Sequence, residues 1–171
     1  MKKNKRTIKK KGTIADLFYV VVVLFTLFII LITSYKVFDD ITIEMNASRN
    51  DGMMSDQSID MMTSNKDRYI TIFDYAFLFI FGGLQLALLI SAFWIRTHPM
   101  YFVVALILIA LLAFVTFQIS NIADEFGMDS DYVGIYEEFN IMRYIMRNLP
   151  ILEIIFGFVT LIVLYMKGGY E

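Results

Sequence analysis

The chain has 171 residues, of which 58% are hydrophobic and 16% aromatic, with a formal net charge of −2 and a mean hydropathy of +0.62. That apolar share stands well above the roughly 45–50% of ordinary soluble domains and is gathered in long blocks, which excludes a water-soluble fold and makes lipid the solvent. The absence of cysteine also excludes a disulfide framework and a thiolate metal site.

The chain opens on a basic arm, residues 1–12, in which Lys2, Lys3, Lys5, Arg6, Lys9, Lys10 and Lys11 supply seven of the fifteen basic residues. Residues 13–171 read as a single membrane domain. Its first apolar block, about 14–38, is longer than the roughly 7–15 residues of a signal-peptide core and lacks a cleavage signature, so it is expected to stay attached. Thr13 and Asp16 are spaced as a capping box at its start. An acidic outer segment follows over 39–69, with seven carboxylates against Arg49, Lys66 and Arg68. Asn50-Asp-Gly52 marks a turn within it.

The second block, about 70–95, opens on a second capping-box pattern, Thr71 to Asp74. Arg96-Thr-His-Pro99 joins it tightly to the third, about 100–122, so these two form an antiparallel hairpin. A second acidic segment, 123–148, carries six carboxylates against Arg143 and Arg147. Within it Val133, Ile135, Tyr136, Phe139, Met142, Ile145 and Met146 recur at helical spacing, which predicts an amphipathic interfacial helix over about 132–147. The last block, about 149–166, begins beside Pro150, where a missing N–H is tolerated. The fold expected is all-α: an integral membrane four-helix bundle. The basic arm, Arg96 and Lys167 then share one side and both acidic segments the other, so the richer Lys/Arg side, with both termini, is expected to be cytoplasmic or interior.

Ionisable residues inside a membrane are costly and mark functional positions by default. Lys36, Asp74 and Glu153 all fall towards the outer leaflet, which predicts a polar cluster in which Lys36 pairs with one of the acids. Asp16, Asp74 and Glu153 also lie near helix starts, where the helix dipole favours negative charge. Gln85 and Gln118 are the polar residues deepest in spans, expected as interhelical glue or, in a pore, as its lining. Gly83, Ala87 and Ser91 lie four apart on one face and predict a close-packing seam. The single histidine, His98, cannot by itself build a haem or zinc site, and no catalytic triad, phosphate loop or paired-histidine motif occurs. No cofactor, metal or enzymatic activity is therefore expected.

His98-Pro-Met-Tyr-Phe102, an apolar span, and Ser120-Asn-Ile-Ala-Asp-Glu-Phe126 together resemble small multispan membrane proteins of tailless, membrane-containing bacterial viruses. The resemblance covers one span with its flanks and carries over no functional residue. It implies a protein of the virion membrane, under a capsid, with its basic arm towards the genome. From the residues themselves the expected role is a non-catalytic structural or scaffolding subunit of a larger assembly in a cell or virion membrane. Its partners would be the bilayer, other membrane or capsid proteins at the outer segments, and anionic lipid or nucleic acid at the arm. The competing expectation is a small channel, transporter or holin-like pore.

Overall fold

The computed structural model describes residues 15–49, 56–94 and 101–166. The basic arm with its lysines, the Asn50-Asp-Gly52 turn, and the connection holding His98 and Pro99 lie outside the described residues. Among the described residues six helices follow in chain order: α1 (Ala15–Arg49), α2 (Asp56–Trp94), α3 (Tyr101–Gly127), α4 (Val133–Glu138), α5 (Asn140–Arg147) and α6 (Leu149–Met166). Four of them, α1, α2, α3 and α6, are long and apolar enough to cross a membrane. The protein is an all-α four-helix membrane bundle.

Along their apolar blocks the long helices are apolar on every side, as lipid requires. In α1, Leu17, Val21, Leu24, Phe28, Ile32 and Tyr35 recur every three or four residues and are buried, while Tyr19, Val22, Ile30 and Val37 point outward. Phe79 of α2 is 81% exposed and Phe114 of α3 is exposed too. One face of each helix packs on neighbours and the other meets acyl chains.

α1 and α2 run antiparallel, their register marked by the Phe38 and Tyr69 rings, with centroids 4.9 Å apart, and by Lys66 Nζ 2.7 Å from an Asp39 carboxylate oxygen. At about 1.5 Å per residue, the 35 residues of α1 make a rod of about 52 Å. The 39 residues of α2 reach about 58 Å on the same rise. A hydrocarbon core is only about 30 Å thick. Most of the outer segment 39–69 is therefore not a loop; the two helices continue through it. Its polar residues are compatible with helix where a rod longer than the hydrocarbon core emerges into water. Thr71 and Asp74 consequently lie inside α2, and the capping box expected at its start does not form there.

α3 and α6 form the second antiparallel pair, with the Phe102 and Tyr165 rings 5.2 Å apart. Here Gly157 is the residue that permits close approach: a Cβ placed on it would meet Ile109 Cγ1 at 3.2 Å. The packing seam expected at Gly83, Ala87 and Ser91 is not within this chain, since Gly83 and Ala87 are exposed and a Cβ on Gly83 would meet nothing within 4 Å.

The amphipathic segment is two short helices rather than one. Phe139, at φ −84° and ψ 80°, leaves helical geometry and is at once the last cap of α4 and the first of α5. Val133 is exposed, whereas the other apolar residues read from the sequence, Ile135, Tyr136, Phe139, Met142, Ile145 and Met146, are buried. They insert into the bundle instead of lying on lipid: the Phe139 ring meets Tyr35 of α1 edge-on at 5.3 Å, and the Tyr136 ring meets Phe28 at 6.0 Å. The elbow plugs the space between α1, α2 and α3.

Candidate functional site

A helix interrupted at Phe139 must begin again, and the first amides of α5 have no intrahelical acceptor. Phe139 offers no side-chain cap. The acceptor comes from another helix: Ile141 N–H donates to Asp74 Oδ2 at 2.8 Å and Met142 N–H donates to Asp74 Oδ1 at 2.7 Å. Asp74 is buried in the middle of α2, so its charge is compensated by two amides and the positive end of the α5 dipole. At the other end of α5, Ser120 of α3 donates its hydroxyl to the Arg147 carbonyl at 3.1 Å. α5 is thus pinned by α2 at its start and by α3 at its finish.

Glu153 and Gln85 form the second buried joint. Glu153 is 0% exposed and Gln85 1%, and Gln85 Nε2–H donates to Glu153 Oε1 at 2.6 Å. The remaining oxygens, Gln85 Oε1 and Glu153 Oε2, have no hydrogen-bond partner among the described residues. One turn before Gln85 on α2 stands Phe81, and three residues after Glu153 on α6 stands Phe156, their rings edge to face at 6.0 Å. The joint lies in apolar surroundings and ties the last span to the second.

The predicted cluster of Lys36, Asp74 and Glu153 does not assemble. Lys36 is bound to Asp40, one helical turn along α1, at 2.6 Å, because a carboxylate at i+4 lies within easy reach of the ammonium group. Asp74 and Glu153 have the separate partners just described. Gln118 does not join Gln85 either; it is exposed on α3. Asp16 does sit in the first turn of α1, as its sequence position implied.

A further joint was not anticipated from the sequence. Tyr136 of α4 donates its hydroxyl to Asp124 Oδ1 at 2.8 Å, and Arg147 Nε approaches Asp124 Oδ2 at 3.8 Å. Gly127, one turn after Asp124, lies against the Tyr136 ring. Burial first, and then the bond to Asp124, push the Tyr136 phenol well above its ordinary value of 10.0. A phenol raised in the fold contributes stability that is whole below a pH of about 10 and is lost as pH climbs through the raised value. In an alkaline titration followed by tyrosinate absorbance, Tyr136 should therefore ionise late, only as the fold opens. Tyr136→Phe should reduce the late step by one tyrosine; an unchanged amplitude in the variant would refute the assignment.

The Gln85 and Glu153 joint predicts a pattern of couplings. Gln85→Leu leaves the acid without its amide and should cost about 1–2 kcal/mol, in the upper part of the range for hydrogen bonds between membrane helices. Adding Glu153→Leu should recover most of that loss, since an apolar pair leaves no polar group stranded. Unfolding of the single and double variants from mixed micelles would measure it, and simple additivity of the two losses would contradict the pairing.

Among the described residues no group of three His, Asp or Glu side chains is placed to share a metal ion. Asp129 and Asp131 make a local turn in which Asp131 N–H donates to Asp129 Oδ1 at 2.9 Å. Fold and joints together define an integral membrane bundle whose buried polar groups fasten one helix to another. No family model, curated protein or solved structure matches the chain.

Proposed function

We propose that the chain is a non-catalytic structural subunit of a larger membrane-embedded assembly. The observation that carries this reading is the length of the α1 and α2 pair. The α4–α5 elbow engages α1 at Phe28 and Tyr35 and α2 at Asp74. Past those positions the pair continues for roughly 20 Å more at about 1.5 Å per residue. This extension exposes Ile41, Ile43 and Met61 beside Asp40, Glu44 and Asp60. Apolar side chains among carboxylates, held on a stiff two-helix rod outside the hydrocarbon, suit contact with another protein better than contact with water.

The use made of the polar groups points the same way. A conducting path would need Gln85, Gln118, Asp74 and Glu153 along one route. Asp74 is occupied by the amides of α5 and Gln118 is exposed away from the other three, so Asp74, Gln85 and Glu153 act as fasteners instead. A virion membrane is the setting that the viral resemblance suggests, with the basic arm towards anionic lipid or an enclosed genome and the rod towards a protein shell.

The chain has no cysteine, so single cysteines at Ala47 and Ser64, both exposed on the rod, report on its surroundings cleanly. In the native membrane both should be shielded from a water-soluble maleimide and should cross-link to one defined neighbour in fixed stoichiometry. Full labelling of both sites, together with ion flux from liposomes holding only this protein, would replace the subunit reading with the pore.

A further inference from the structure

With Glu153 ionised, the two stranded oxygens of the buried joint are both acceptors. Gln85 Oε1 is a carbonyl oxygen, and Glu153 Oε2 of an ionised carboxylate can only accept. Leaving two such atoms unpaired in an apolar interior costs about 1–3 kcal/mol each, and an uncompensated carboxylate there costs more. Positive charge does not come from the described ion pairs, since Lys36, Lys66 and Arg147 are engaged with Asp40, Asp39 and Asp124. A single proton resolves both deficits at once, because it turns one acceptor into a donor facing the other.

We propose that Glu153 and Gln85 form a proton-holding site. In it Glu153 is a neutral carboxylic acid whose Oε2–H donates to Gln85 Oε1, closing a reciprocal acid–amide pair with the Nε2–H to Oε1 bond already in place. An acid and a primary amide each present one donor and one acceptor side by side, so the ring forms with no further partner. The surrounding Phe81 and Phe156 rings supply the apolar medium in which a carboxyl group remains neutral and donates, as buried acids do at some catalytic sites. The proton is thereby a structural ligand: it joins α6 to α2, and its removal strands a bare carboxylate between them. The assignment does not depend on the subunit reading.

Infrared spectroscopy of the full-length protein in lipid, labelled with carboxyl-13C glutamate, tests the proposal. At neutral pH the labelled protein should show the C=O stretch of a hydrogen-bonded carboxylic acid, absent from Glu153→Gln. Gln85→Leu should move that band to higher frequency, because the acid loses its amide partner. The second variant retains Glu153 and keeps the test decisive if Glu153→Gln does not fold. A spectrum containing only carboxylate stretches would overturn the proposal, and dependence of those stretches on added sodium would assign the two oxygens to a metal cation instead. An acid band indifferent to Gln85→Leu would also overturn it.

Discussion

Asp74→Ala should unfasten α5 and destabilise the protein by about 3 kcal/mol. Each bond from Ile141 and Met142 to this carboxylate is charge-assisted, and such bonds contribute about 1.5–3 kcal/mol apiece without adding in full. An eight-residue helix has little intrinsic stability to fall back on. Asp74→Asn, which keeps one acceptor oxygen, should lose roughly half as much. Amide hydrogen exchange reads the effect where it arises: Ile141 and Met142 should exchange about a hundredfold faster in Asp74→Ala, a factor equal to about 2.7 kcal/mol. Unchanged protection at these two amides would show that α5 is held by its buried apolar face alone.

Gly127→Ala should be nearly as damaging, by about 2–3 kcal/mol, for a reason of space. A Cβ at position 127 would lie 2.5 Å from the Tyr136 Cγ and Cδ1 atoms. These are the root of the ring and not a flexible tip, so relief requires moving the whole side chain. Overpacking of this kind costs about 1–3 kcal/mol by itself, and the displaced ring would also lose the Asp124 bond and its edge contact with Phe28. Removing the ring should remove the conflict. On a Tyr136→Ala background the additional cost of Gly127→Ala should fall close to zero, and equal costs on both backgrounds would place the damage elsewhere.

The spans were legible because lipid imposes one requirement on every residue facing it, and the four apolar blocks satisfy it without help from tertiary contacts. Helix ends were legible less often. Polar residues after Phe38 read as the end of a helix, yet water tolerates them on a helix that simply continues to Arg49. The apolar spacing of residues 133–146 identified the buried face of the elbow correctly, and it could not say whether lipid or protein would cover that face. Phe139 gave no warning of the break, having neither the ring constraint of proline nor the freedom of glycine.

The polar joints follow the same division. Lys36 and Asp40 meet within one turn, so their pairing is a local property of sequence. Asp74 stood out as a charge within an apolar stretch, and Gln85 and Glu153 as polar residues at depth, but their partners lie 67 or 68 positions away and are fixed by how helices pack. Small residues mislead for a related reason: Gly83 and Ala87 have the spacing of a seam while Gly157 has the neighbour, Ile109, that makes one.

The dependence of α5 on two other spans carries over to biogenesis. Emerging alone, Asn140–Arg147 is too short to hold a helix, and the groups that cap it reside on α2 and α3, which precede it in the chain. It can wind only as it docks, after those two rods are already in the bilayer. Closure of that flank is accordingly a late event in maturation, and a nascent chain stalled before it would show the quality-control machinery an open cleft beside Tyr35 and Asp74.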